Sequence, residues 1–412
     1  MRDGPTGVTM IGTRGIPAAY GGFETAVEEI GGRLAARGHE VTVYCRTTGP
    51  HPAREYHGMA LVHLPALRIK AAETLSHTAL SACHAVARRR PGVAILFNAA
   101  NAPFLPLLRA RRIPTAVHVD GLEWMRGKWG NAGRRYYLAA ERFAVRWSDA
   151  LIADAPGIAD YYAEKFGAPT ELLTYGATIL RSPGTDRVRE LGLEPRRYHL
   201  VVARFEPENN VDMIVDAYHQ SSCTFPLVVV GSAPYAQAYT RRIDAVAASD
   251  SRIQMLGSVW DQDELDQLYA NALTYAHGHS VGGTNPSLLR AMGGGTPVLA
   301  YDVAFNREVV GADGGYFGGP AALRLLFDDA ERSVPQLLRI GQRLQRRAQT
   351  TYDWDAVALG YEELVERLAD GYSIHSIRAP MPRTIPVAAT REISTRSTSS
   401  SHPDPRTDSR SS

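Results

Sequence analysis

The chain has 412 residues, 44% of them hydrophobic and 21% charged, with a formal charge of +2. That length favours two cores of roughly 150–200 residues over one, and the composition excludes a mostly disordered chain or a membrane bundle. Residues 373–412 hold six Arg against three acids, so the remainder is close to neutral, which argues against a nucleic-acid binder.

Cys45, Cys83 and Cys223 are odd in number and have no CxxC spacing, which argues against a disulfide framework or a zinc site and fits a reducing cytoplasm. The opening MRDGPTGVTMIGTRG has only a short apolar run before a Gly-rich loop. It reads as a first strand, not a signal peptide. No stretch of 18 apolar residues occurs, so any membrane contact is expected to be peripheral.

In chain order, short apolar runs VTMIG (8–12), VTVYC (41–45), VAILF (93–97), TAVHV (115–119) and ALIAD (150–154) alternate with amphipathic stretches. This predicts a parallel sheet with helices on both faces. Phe23, Val27, Ile30 and Leu34 share one helical face, and Gly38 is a helix stop. The loop GTRGIPAAYGGFET (12–25) joins the first strand to that helix, and Gly21 and Gly22 would let backbone N–H groups approach an anion at the helix start. The alternative is a tight turn without a ligand. The spacing is not GxGxxG and no acid ends the second strand, which speaks against a dinucleotide cofactor.

HVDGLEW (118–124) puts His118 and Asp120 at a strand's carboxyl end, as cleft residues or as structural ones. The segment WMRGKWGNAGRRYYLAAERFAVRW (124–147) is basic and aromatic. Trp124, Arg126, Lys128, Arg134 and Arg135 could dock an anionic acceptor or membrane lipid, or belong to a solvated helix with its aromatics inward.

A second series follows the polar stretch 181–198: HLVVARF (199–205), PLVVVG (226–231), IQMLG (253–257), LTYAHG (273–278) and TPVLAYD (296–302). RFEPENN (204–210) places Arg204 at a strand end, suited to bidentate phosphate binding or to a salt bridge with Glu206 or Glu208. WDQDEL (260–265) contains a DxD, but a helix cap is the better reading. In HSVGGTNPSLLRAM, Gly282, Gly283 and Thr284 form a permissive loop, Asn285 is an N-cap and Pro286 the first helical residue, together an anion seat. Arg290 is expected in the first turn, where the helix dipole favours a carboxylate.

The fold expected is α/β: an N-terminal Rossmann-like domain (1–180), a second one (181–353) facing it across a cleft, and a helix (354–372) packing back on the first. A Ser/Thr/Pro/Arg-rich tail (373–412) reads as disordered.

Taken together, HSVGGTNPSLL-x-AMGGGTPVLAYDVAFNREVVG, IGTRGIPAAYGGFET and RFEPENN resemble the GT-B glycosyltransferases of family 4, in the branch with an N-terminal rhamnosyltransferase-like domain, over residues 8–370. The resemblance implies retaining transfer of a sugar from a nucleoside diphosphate, without a catalytic metal, at the inner face of the plasma membrane. The first guess is rhamnose from a dTDP-sugar or UDP-sugar. The acceptor implied is a glycan or polyprenyl-linked oligosaccharide, met by the first domain. His118, Asp120 and Arg204 are then the catalytic candidates. Gly21, Gly22, Asn209, Gly282, Gly283, Thr284, Asn285 and Arg290 are the donor-binding ones. Two positions depart from the family pattern: Asn209 stands for a Lys, and Arg290 for a Glu that accepts from ribose. Arg290 could have lost that contact, moved to the diphosphate, or face solvent. A silent GT-B relative that binds a partner or glycan, and a sugar-nucleotide epimerase, are the alternatives.

Overall fold

The structure, a computed structural model, describes residues 5–18, 21–47, 52–67, 69, 72–87, 92–119, 121–127, 129–232 and 237–376. Asp120, Lys128 and tail residues 377–412 lie outside the described residues.

In the first half the elements run β1 (Gly7–Ile11), α1 (Gly22–Ala36), β2 (Glu40–Arg46), β3 (Glu55–Tyr56), β4 (Met59–Leu64), α2 (Glu73–Ala87) and β5 (Val93–Phe97). They continue α3 (Leu105–Ala110), β6 (Thr115–His118), α4 (Asn131–Trp147), β7 (Ala150–Ala153), α5 (Pro156–Phe166) and β8 (Glu171–Leu172). The strands form one eight-stranded sheet in the order β3-β4-β2-β1-β5-β6-β7-β8. All neighbours are parallel except the short β3–β4 pair.

The second half begins with α6 (Asp186–Glu190), β9 (His199–Val202), α7 (Val211–His219), β10 (Leu227–Val230), α8 (Gln237–Ala248), β11 (Ile253–Gly257), α9 (Gln262–Asn271) and β12 (Thr274–His277). It ends with α10 (Pro286–Gly293), β13 (Val298–Tyr301), α11 (Ala304–Val310), β14 (Gly315–Phe317), α12 (Pro320–Arg332), α13 (Val334–Thr351) and α14 (Trp354–Ala369). Its six parallel strands are ordered β11-β10-β9-β12-β13-β14.

The predicted apolar runs become the central strands because each is buried on both faces. Val93 to Phe97, for example, are all at most 1% exposed, as a sheet covered by helices on either side requires. α1 buries Val27, Ile30 and Leu34 against that sheet, at ~1.5–3 kcal/mol each, and ends where Gly38 takes φ 97°. The absent predictions lie at or beside the sheet edges: β3, β4, β8 and β14 are short or only half-buried, so hydrophobic runs do not mark them. α14 is capped by Asp353, whose Oδ2 accepts from Ala356 N at 3.0 Å. It lies against α1 of the first half, with Arg33 Nε 2.7 Å from Asp355 and Arg37 Nη1 2.7 Å from Glu362.

What matters for a site is where strand order reverses. In the first sheet β1 has β2 on one side and β5 on the other, and in the second β9 lies between β10 and β12. Connections leave each pair in opposite directions, which opens a crevice at the strands' carboxyl ends. Here the two crevices face each other.

Candidate functional site

Between the halves lies a cleft of about 570 Å³. Its first wall comes from the end of β1 and the loop into α1 (Gly12, Arg14, Gly21, Gly22), with Arg46 and Asn98. Its second comes from Arg204, the 258–262 loop and residues 282–287, with Arg290. Gly12 makes this packing possible: it has φ 107°, and a Cβ there would lie 2.4 Å from Phe97 O.

The two walls touch at glycines. A Cβ on Gly121 would come within 2.8 Å of Gly282 Cα, and one on Gly283 within 2.6 Å of Asp154 Oδ1. Beside them Thr284 Oγ1 donates to Asp154 O at 2.6 Å. The loop 282–284 is therefore fixed against the first domain immediately before a helix begins. Asn285 caps that helix as its sequence suggests: Oδ1 accepts from Ser287 N at 3.0 Å, and Pro286 occupies the first position. The start of α10 therefore presents its leading N–H groups and the positive end of its dipole to the cleft wall, the kind of donors an anion accepts from.

Arg204 lines the same cleft with 42% of its side chain exposed, and its Nη1 is 3.6 Å from Glu206 Oε1. The salt-bridge reading is thus met only loosely, and a pair that long leaves guanidinium N–H groups facing the cleft. The loop carrying it is laced to the end of β12: Ser280 N and Oγ each donate to Glu208 O at 2.9 Å, and Asn210 Nδ2 donates to Gly278 O at 2.7 Å. Asn209, by contrast, is 1% exposed and turns inward, with Nδ2 donating to Arg204 O at 2.8 Å. It shapes the loop and is not in the cleft lining.

Arg290 is not in the first turn. α10 has only eight residues, so Arg290 falls in its last turn, where the dipole favours a cation. It does not point to bulk solvent either: Nε donates to Asp266 Oδ1 of α9, and the two side chains are 21% and 20% exposed. The residue still lines the cleft. The DxD behaves as a cap, with Asp261 Oδ1 accepting from Asp263 N at 2.9 Å and Glu264 N at 3.3 Å.

His118 is 1% exposed and sits behind Phe23, with its ring 5.1 Å from Phe23, 5.7 Å from Phe97 and 6.0 Å from Tyr175. Burial pushes its pKa down to about 3. It is therefore neutral near pH 7 and separated from the cleft by an aromatic ring, an arrangement unlike that of a general base. The basic segment divides as well. Trp124 is covered by Arg134, 5.1 Å from its ring, and by Lys165 at 5.5 Å. Arg126 turns into the cleft, its Nε 2.5 Å from Glu123 and its Nη1 3.8 Å from both Glu206 and Glu208 of the second domain. Arg134 and Arg135 are exposed on α4, outside the lining.

Sequence reasoning passed over His279, Asp154 and Trp260. His277 and His279 stack at 4.3 Å, and burial, followed by the charges of His277, Arg126 and Arg204, holds His279 well below the usual histidine range. The signal was available in HGHS, where alternate histidines at a strand end share a face. Asp154, 2% exposed, ends the ALIAD run. Trp260 stands 66% exposed on the cleft rim.

The fold and the cleft define the class: two parallel-sheet domains in the GT-B glycosyltransferase architecture. Comparison with known proteins agrees. Residues 6–178 match a domain of unknown function, DUF1972, and residues 185–333 match the family described as glycosyl transferases group 1. The O-antigen chain mannosyltransferase B of Escherichia coli is 28% identical over 222 residues, covering 50% of this chain and 58% of that protein. The chain thus matches little more than half the length of that curated relative. Among solved structures, sucrose-phosphate synthase from Thermosynechococcus elongatus superposes with TM-score 0.76 at 22% identity, over 88% of this chain and 99% of that one. Anabaena HepE in complex with UDP gives 0.69 at 16% over 88% and 99%, and trehalose 6-phosphate synthase from Burkholderia multivorans 0.70 at 12% over 90% and 100%. Among the described residues no helix is long and apolar enough to cross a membrane.

Proposed function

We propose that the chain is a retaining glycosyltransferase that moves a sugar from a nucleoside diphosphate to a hydroxyl of a glycan or lipid-linked oligosaccharide, in the synthesis of a cell-surface polysaccharide. The observation that carries this is the meeting of Arg204, the 282–284 loop and the start of α10 on one cleft wall. Those groups suit a diphosphate that gains negative charge as it leaves. Pre-aimed N–H dipoles and a guanidinium stabilise such charge without reorganising.

In the reaction the bond between the anomeric carbon and the phosphate oxygen breaks. The acceptor oxygen bonds to that carbon on the same face, and its proton passes to the departing phosphate. No protein nucleophile and no resident metal take part. His118 supports Phe23 and the floor of the sugar site from behind.

The UDP bound to the structural neighbour from Anabaena supports a uridine donor alongside dTDP. The likeness to an O-antigen mannosyltransferase supports polysaccharide synthesis and makes mannose a rival to rhamnose as the sugar. We place the work at the cytoplasmic membrane face, where a polyprenyl-linked acceptor would be met. Calorimetry with UDP, dTDP and GDP tests the donor site: binding of at least one, weakened by Arg204→Gln, is expected. Binding of none would leave the silent-relative reading in its place.

A further inference from the structure

The cleft wall opposite Arg204 carries a second cationic pocket. Arg14 follows β1 and Arg46 ends β2, and Arg46 N donates to Arg14 O at 2.9 Å, so the sheet holds the two residues side by side. Both line the cleft, together with Thr74 and Asn98. Thr74 lies in the first turn of α2, where Glu73 N already donates to Ile69 O and Ser76 N to Ala72 O, each at 2.8 Å, so the side chains and not the helix start face the cleft as donors.

Arg46 is only 11% exposed in its side chain and is fixed in place. Nη1 is 2.8 Å from Glu73 Oε1 and Nη2 donates to Thr74 Oγ1 at 2.9 Å, while its buried Nε has no hydrogen-bond partner among the described residues. Burial first, then the neighbouring Arg14 charge, holds Arg46 below the usual arginine range, though Glu73 and Glu24 oppose this. The nearby acids are already engaged: Glu73 with Arg46, and Glu24 Oε1 accepting from Arg14 N at 3.0 Å. Among the described residues the Arg14 guanidinium has no ion pair, and the residue is exposed to the cleft.

Two neighbouring guanidinium groups and a hydroxyl are donors a phosphate dianion accepts from. We infer that Arg14, Arg46 and Thr74 form an anion subsite on the first domain, which takes a phosphate or pyrophosphate group carried by the acceptor. It is separate from the diphosphate seat of Arg204 and α10, and it rests on the transferase reading above. It also moves the acceptor's charge inward from Arg134 and Arg135, which stand on the outer surface of α4.

The test uses the full chain saturated with UDP or dTDP and titrated with inorganic pyrophosphate. A second binding event is expected. Arg14→Gln should weaken it by about tenfold or more, as loss of a charged hydrogen bond does, with nucleotide affinity unchanged. Arg14→Lys should recover part of it, and Arg204→Gln should do the reverse, weakening nucleotide and sparing the second event. Repeating the titration with farnesyl pyrophosphate and glucose 6-phosphate tells a lipid source of the phosphate from a soluble sugar phosphate, either of which supports the subsite. Absence of a second event in the wild type, or equal affinity in Arg14→Gln, overturns it. If the wild type binds no nucleotide, the donor reading fails, and the Arg14→Gln comparison with pyrophosphate alone still decides the subsite.

Discussion

Replacing Arg290 by Glu restores the residue type that the family pattern expects, but it sets a carboxylate against Asp266. The native pair is about four-fifths buried on each side. Two unit charges about 4 Å apart interact by ~4 kcal/mol at an effective dielectric of ~20, and exposed pairs register only ~0.2–1 kcal/mol after screening and side-chain entropy. A half-screened pair that reverses from attraction to repulsion should therefore cost about 2 kcal/mol in stability. In a domain of this size that lowers the melting midpoint by roughly 4–8 °C. Thermal melts of wild type, Arg290→Glu, Asp266→Lys and the double variant measure it directly, and the charge-swapped double should regain most of the loss. Nucleotide affinity should fall in Arg290→Glu, because the cleft loses a cation. An unshifted midpoint together with tighter nucleotide binding would refute the structural role of the pair and restore the lost-ribose-contact reading.

Arg204→Gln should lose ~10–100-fold in nucleoside diphosphate affinity, with little change in the ligand-free melt, because its 3.6 Å pair with Glu206 is loose and part-exposed. An unchanged affinity would remove Arg204 from the donor site. Gly283→Val forces a side chain onto Asp154 and should shift the domains apart, costing ~100-fold in turnover through misplacement of the two substrates; X-ray scattering of an unchanged shape with full activity would contradict it. His118 and His277 are both held down to about 3, so each is neutral in the fold while the unfolded chain takes a proton below about 6.5. Their contribution is complete above that pH and is lost as pH falls toward 3, at about 2 kcal/mol each by pH 5. Urea melts at pH 7 and 5 should show the loss, and His118→Gln should shrink it; an equal pH slope in the variant would count against the buried neutral histidine.

Much of the architecture was legible because its determinants are local. Central strands announce themselves as apolar runs, Asp261 and Asn285 cap the helices that follow them, and Pro286 fits only a first helical position. Arg204 and the 282–284 loop could be placed because a strand end followed by small residues fixes where the backbone goes. The misplaced residues depend instead on partners far away in sequence. Nothing near Arg290 indicates that Asp266, on the preceding helix, will hold it. Asn209 turns inward because its own loop carbonyl is the nearer acceptor. Arg126 reads as a surface cation in a basic segment, yet it reaches Glu206 and Glu208 of the other domain. His118 was correctly put at a strand end, but only packing shows that Phe23 stands between it and the cleft.

Acceptor-dependent release of nucleoside diphosphate tests the transferase claim most directly. The full chain is incubated with UDP-, dTDP- and GDP-sugars, each with and without a polyprenyl-linked oligosaccharide, and the freed diphosphate is measured. Release from one donor that requires the acceptor is the expected result. Release that ignores the acceptor would point to a hydrolase, and silence with every donor would contradict the transferase reading.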